Sequence, residues 1–244
     1  MRTQWGVATD TGGHRRVNED AVLARPPVFV VADGMGGHAR GDMASRTVVA
    51  ELAALASGDA PLRPDDVRAA VGRAASRIRE TMAADAEPAA AGSTLAGVVL
   101  TEQDGEPYWL VLNVGDSRVY RSAATGLEQV SVDHSLVQEL VDAGTIDAEQ
   151  ARRHPQRNVI TRAVGTGAVP DVDFWMLRAL AGERLLVCSD GLVEELSDAE
   201  IGEVLGGAGD APAVAEALVA RAMGDAGARD NVTALVVEVV PGDD

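Results

Sequence analysis

Three apolar runs in this chain each lead into an aspartate. Val28-Phe29-Val30-Val31-Ala32 stops at Asp33, Leu185-Leu186-Val187-Cys188-Ser189 stops at Asp190, and Leu110-Val111-Leu112-Asn113-Val114 passes Gly115 to reach Asp116. An apolar run of this length before a glycine turn reads as a strand buried on both faces. An acid at the mouth of such a strand is held rigidly, as a metal ligand must be. After Asp33, Gly34, Gly36 and Gly37 let the backbone turn and approach a ligand closely. Three such strands predict one acidic site assembled from distant parts of the chain.

The rest of the pattern supplies a frame for that site. Gln4 to Thr11 alternates as a strand, the polar cluster His14 to Asp20 follows, and Ala21 to Ala24 is a short apolar segment. Helical spacing covers Asp42 to Ser57 and Pro64 to Ala86, the latter with proline in its first turn. Strands are expected over Gly92 to Thr101, Pro107 to Val114, Arg118 to Arg121 and near Leu127 to Val130, with hairpins at Gln103-Asp104-Gly105-Glu106 and Gly115-Asp116-Ser117. Ser135 to Ala143 and Asp147 to Arg153 read as short helices in a polar, interrupted stretch that looks like an insertion or flap. A strand is expected within Asp171 to Leu180, and Ser197 with Glu200 forms a capping box for a helix over Asp198 to Leu205. A last helix covers Ala211 to Met223, and Val232 to Val240 closes the chain as a strand. Hairpin-joined strands favour antiparallel pairing. With helices available for both outer faces, we expect an α+β fold: two stacked, mainly antiparallel sheets flanked by helix layers, a four-layer αββα sandwich in one domain.

Composition narrows the partners. Acidic residues number 38 against 21 basic ones, a formal net charge of −17. Nucleic-acid binding depends on neutralising phosphates with basic side chains, so it is disfavoured. The single Cys188 lies inside an apolar run and reads as a buried structural thiol in a reducing compartment. No signal-peptide h-region and no apolar run of about 18 residues occurs, so a soluble, cytoplasmic chain is expected.

The acids that follow strands or glycine turns are Asp20, Asp33, Asp116, Asp190 and Asp230. Brought together, they repel and raise one another's pKa values unless a cation joins them. Oxygen-only ligation suits Mg²⁺ or Mn²⁺, and no Cys/His cluster suggests zinc. Two ions sharing a carboxylate could lower the pKa of a water and generate hydroxide for in-line attack on phosphorus. An arginine would then clamp the phosphoryl oxygens. Asp-Gly alone is a common turn dipeptide. Three acids after buried strands, together with Asn18-Glu19-Asp20 and Arg229-Asp230-Asn231, point instead to a metal site.

The succession Arg15-x-x-Asn18-Glu19-Asp20, Asp33-Gly34-Met35-Gly36-Gly37-His38, Gly92-Ser93-Thr94, Gly115-Asp116-Ser117-Arg118, Asp133-His134-Ser135, Ser189-Asp190-Gly191-Leu192 and Asp230-Asn231 resembles the metal-dependent protein phosphatases. These are the type 2C serine/threonine phosphatases, here in their bacterial branch, and the resemblance runs from about residue 3 to 240. It implies that Asp33 bridges two metals, with the Gly34 carbonyl completing one shell, and that Asp190 and Asp230 bind the second ion. Glu19 and Asp20 would hold metal-bound waters, and Asp116 with Asp190 would match an extra metal position of bacterial members. Arg15 matches the phosphate-binding arginine, and Ser135 to about Gly165 matches the flap beside the active site.

One departure stands out. Eukaryotic relatives place a histidine directly after Asp-Gly as the proposed general acid, whereas this chain has Met35. His38, three residues on, is the candidate replacement, with water as the alternative. His134 and Arg162 are secondary candidates. The implied activity is metal-dependent hydrolysis of phosphoserine and phosphothreonine in proteins, opposing a bacterial Ser/Thr kinase, with a monomer expected. The rivals are a phosphatase of an anti-sigma antagonist protein and a catalytically dead binding module. The intact acidic set speaks against the latter. An aspartyl-nucleophile phosphatase would want a second Asp where Met35 stands.

Overall fold

The computed structural model describes residues 2–36, 39–58, 60–84 and 90–240. The first half of the chain runs β1 (Arg2–Asp10), β2 (Asp20–Arg25), β3 (Val28–Met35), α1 (Ala39–Ala53) with a 3₁₀ turn over Ala54–Ser57, then α2 (Pro64–Ala83). Next come β4 (Gly92–Ser93), β5 (Leu95–Gln103), β6 (Glu106–Val114), β7 (Arg118–Ala123) and β8 (Gly126–Gln129). The remainder is α3 (Leu136–Asp142), α4 (Ala148–Arg152), β9 (Asp173–Arg178), β10 (Arg184–Cys188), α5 (Asp190–Glu195), α6 (Asp198–Leu205), α7 (Ala211–Met223) and β11 (Val232–Val240).

Every paired strand is antiparallel. One sheet has the order β1-β11-β10-β7-β8, and the other β2-β3-β5-β6-β9 with β4 beside β3. Alternate residues of a strand face opposite sides, so each central strand serves two cores. Phe29, Val31, Val98, Trp109, Val111, Leu185, Val187, Leu235 and Val237 pack between the sheets. Val28, Val30, Ala32, Leu110 and Leu112 face α1 and α2, while Leu186, Cys188, Ala234 and Val236 face α5, α6 and α7. This is the expected αββα sandwich, and it explains why the strands are apolar at nearly every position. Each fully buried Val or Leu contributes about 1.5–3 kcal/mol relative to exposure. Cys188 is completely buried, and burial pushes its thiol pKa up to about 12, as expected of a structural residue.

The local signals behave as their chemistry dictates. The Ser197 hydroxyl accepts from Glu200 N–H, and the Glu200 carboxylate accepts from Ser197 N–H, closing the capping box of α6. Asp210 caps α7 through Ala213 N–H at 3.0 Å. One expectation needs correction, and one element was not foreseen. The turn Gly115-Asp116-Ser117 is not a hairpin: β6 pairs with β5 and β9, whereas β7 pairs with β10 and β8, so the turn crosses from one sheet to the other. The unforeseen element is α5, which begins at Asp190 directly after β10.

Candidate metal centre

Antiparallel register places Asp20 of β2 directly opposite Asp33 of β3. The five-stranded sheet brings up its own acids: Asp190 follows the end of β10, and Asp230 lies just before β11, whose Ala234 pairs with Cys188. Asp116 sits on the crossover between the sheets, 7% exposed. Strand ends from both halves of the sandwich thus deliver their carboxylates to one place.

The electrostatics confirm the convergence. Burial, and then the charges of Asp20, Asp190 and Asp116, hold Asp33 well above the ordinary carboxylate range. Asp190 is raised well above it by burial and by Asp116, Glu194 and Asp230. Asp33 and Asp190 share a hydrogen bond that favours the proton on Asp33. Burial raises Asp20 to about 6 despite hydroxyl donors, and raises Asp116 to about 7 with help from Asp133.

A frame of hydroxyls and amides fixes these acids. Asp20 Oδ2 accepts from Ser189 Oγ at 2.8 Å and Thr233 Oγ1 at 2.6 Å. Ser189 Oγ also accepts from Thr233 N–H, so this residue at the start of α5 bonds to β2 and β11 and makes no cap bond to the helix. Asp33 exchanges two bonds with Thr94: its N–H donates to Thr94 Oγ1 at 3.0 Å, and its carbonyl accepts Thr94 N–H at 2.9 Å. Glu19 N–H donates to Asn231 Oδ1, and Glu19 O accepts from Ser45 Oγ and Gly34 N–H. Gly34 admits no side chain, since a Cβ there would lie 2.1 Å from the Gly41 carbonyl oxygen. Arg15 reaches the site from an exposed loop and pairs through Nη2 with Asp230 Oδ2. His38 lies outside the described residues.

The donor set fits a hard divalent cation. It offers oxygen ligands, and the buried Asp20 Oδ1 and Asp116 Oδ1 have no hydrogen-bond partner. Among the described residues, no three His, Cys, Asp or Glu side chains are drawn in tightly enough to enclose an ion. Carboxylates this close and this buried repel one another, and a divalent cation among them would relieve that repulsion.

Beside the acids lies a groove of about 730 Å³, lined by Asp116 and Asp190 at one end and by Val137, Ala151, Arg152 and Arg157 of the Ser135–Gly165 segment on the other side. Two ion pairs cross it, Arg152–Asp198 at 3.1 Å and Arg157–Glu194 at 3.7 Å. Sequence reading missed Glu194, Ser189 and Thr233. Glu194 follows Asp190 by one helical turn and becomes visible only once α5 is recognised. The hydroxyls carry no signal of their own within strand-like sequence.

The architecture and the buried carboxylate cluster at its strand ends are shared with a class of protein phosphatases, as the comparisons show. A family model described as Protein phosphatase 2C matches residues 14–232. The chain is 39% identical over 244 residues to the serine/threonine protein phosphatase PstP of Mycobacterium tuberculosis, matching 97% of this chain and 45% of that protein. It therefore spans under half the length of that relative. It is also 32% identical to the serine/threonine phosphatase Stp of Listeria innocua, covering 94% of this chain and 93% of that one. The crystal structure of M. tuberculosis PstP superposes with a TM-score of 0.87 at 35% identity, covering 98% of this chain and 99% of that chain. The catalytic domain of a serine/threonine protein phosphatase PstP in complex with two manganese ions superposes with a TM-score of 0.81 at 34% identity, covering 98% of this chain and 99% of that chain. The chain belongs to the protein phosphatase 2C family.

Proposed function

We propose that this chain hydrolyses phosphoserine and phosphothreonine in proteins at a two-metal centre, opposing a Ser/Thr kinase. The observation that carries the reading is the meeting of Asp20, Asp33, Asp116, Asp190 and Asp230 where buried carboxylate oxygens lack partners. Mn²⁺ or Mg²⁺ held there would supply Lewis acidity and activate water for in-line attack on phosphorus. Asp33, opposite Asp20 in the ladder and hydrogen-bonded to Asp190, would serve as the ligand shared by two ions, with the Gly34 carbonyl beside it. Asp190 and Asp230 would hold the second ion, and Asp116 with Asp190 would offer ligands for a third. Glu19 and Asp20 orient the surrounding water. Arg15, half-exposed at the mouth and paired with Asp230, would offer its guanidinium fork to the phosphoryl oxygens. His38 or water returns the proton to the leaving group. The Ser135–Gly165 segment acts as a flap that contacts the protein substrate.

The test is turnover of an aryl phosphate and of phosphothreonine peptides with added Mn²⁺. Hydrolysis should appear with the metal and vanish with EDTA. Turnover that persists in EDTA would sink the two-metal reading.

A further inference from the structure

One buried histidine has no part in the roles above. His134 is 8% exposed, and its Nδ1 lies 3.0 Å from the backbone nitrogen of Gly115. A backbone N–H can only donate, so Nδ1 must be the unprotonated ring nitrogen and Nε2 must carry the hydrogen. Nε2 faces Asp173 Oδ2 at 3.2 Å, and Arg162 Nη1 holds the other oxygen of Asp173 at 2.7 Å. The same histidine makes a second bond to the same partner: its own N–H donates to Gly115 O at 2.9 Å. Both polar groups of Gly115 are thereby bonded to one residue, and Asn113 Nδ2 adds a bond to the carbonyl at 3.0 Å.

Gly115 is the residue that aims Asp116. Its φ is +104°, and a Cβ would meet Thr94 Cγ2 at 2.7 Å, so the backbone conformation is one that glycine alone holds easily. Such a glycine has wide conformational freedom and needs outside bonds to settle on one direction. We infer that His134, as the neutral Nε2–H tautomer, is a positioning residue that fixes the Gly115 peptide and so directs the Asp116 carboxylate into the acidic centre. Burial, the largest influence on the ring, lowers its pKa and favours the neutral form over the opposing pull of Asp173. The inference rests on the reading of Asp116 as a metal ligand. A merely space-filling histidine would not require one tautomer or an acceptor at the Nδ1 position.

Two measurements test it. In the metal-free protein, ¹⁵N–¹H correlation spectra of the imidazole should show Nδ1 unprotonated and Nε2 protonated. The Nδ1–H tautomer or an imidazolium at neutral pH would overturn the inference. The second measurement is Mn²⁺ titration calorimetry on His134→Gln, His134→Asn and Asp116→Asn. Asparagine can place a carbonyl oxygen near the Nδ1 position, whereas glutamine reaches only towards Nε2. His134→Gln should weaken the same binding step as Asp116→Asn, by roughly 10–100-fold as expected for loss of a residue supporting a ligand, with His134→Asn recovering most of the loss. Asp116→Asn weakened beside an unchanged His134→Gln would overturn the inference alone, as would identical losses in both His134 variants. Unchanged binding in Asp116→Asn would overturn the ligand reading of Asp116, and the inference with it. Should His134→Gln fail to fold, the nitrogen shifts of the unaltered protein still decide.

Discussion

The acid-bearing strand ends and the Ser135–Gly165 segment face each other across one groove, yet different forces hold them. The strands beneath the acids are completely buried at Val30, Val31, Leu186, Val187 and Leu235, and hydroxyl and amide bonds lock their carboxylates. By contrast, α3 and α4 contain no buried residue. The segment is tied down by backbone bridges, Ser135 to Ile160 and Ser93 to Val164, and by ion pairs such as Arg152–Asp198, whose side chains are 60% and 52% exposed. Exposed pairs of this kind are each worth about 0–1 kcal/mol. Apolar burial builds the rigid side, where repelling charges have to be held together. On the other side, α3 and α4 are held by polar contacts, and the segment enters the core only near its end, at the buried Val164.

The comparison breaks most sharply at the acids. Asp33→Asn or Asp190→Asn should lower kcat by on the order of 10³-fold, since each removes a ligand of the ions that activate water. The same substitutions should leave the Tm of the metal-free protein unchanged or raised, because they relieve repulsion between buried carboxylates. Full turnover in either variant with Mn²⁺ supplied would refute the assignment. Arg15→Ala comes next. It should raise KM for an aryl phosphate roughly 10–100-fold, the range for losing a charged hydrogen bond, and change kcat less. An unchanged KM would remove Arg15 from the phosphate site.

A smaller effect concerns pH. Asp20 and Asp116 have folded-state pKa values raised to about 6 and about 7 from the ordinary 3.8. A raised carboxylate favours folding only while it is protonated, so its contribution is complete below the unfolded pKa and lost as pH rises through the folded one. The metal-free protein should therefore lose Tm across that interval, while Mn²⁺, binding the ionised acids, restores more as pH rises. Calorimetric scans with EDTA and with Mn²⁺ would show it, and parallel curves would contradict it. The smallest change is expected from Arg152→Ala. Stability should shift by less than about 1 kcal/mol, and aryl phosphate turnover should stay level while KM for a phosphoprotein moves. Equal shifts for both substrates would show that the segment does not select protein substrates.

Much of this was readable before any coordinates. Val28 to Ala32 announced a strand buried on both faces because a sandwich of this kind covers both sides of its central strands, and Asp33 stood out as a charge ending that run. Ser197 with Glu200 announced α6 because capping is local chemistry. What escaped was settled by tertiary contacts. Asp190-Gly191 looks like a turn, and the helix it opens is only six residues long, resting on the buried Leu192. The Gly115 turn looks like a hairpin because no local signal says which strand β7 will choose. Thr233 is an ordinary β-branched strand residue until its hydroxyl is seen on Asp20 at 2.6 Å.

The origin of the acids has a bearing on how the molecule is made. Asp20 and Asp33 ride on the six-stranded sheet, whereas Asp190 and Asp230 flank strands of the five-stranded one. Neither half owns the centre, and β11, which follows Asp230, is the last strand in the described chain. The full set of carboxylates therefore stands together only with β11 seated between β1 and β10. An ion spanning the two sheets would act as a rivet between them, and prying the sheets apart would release it.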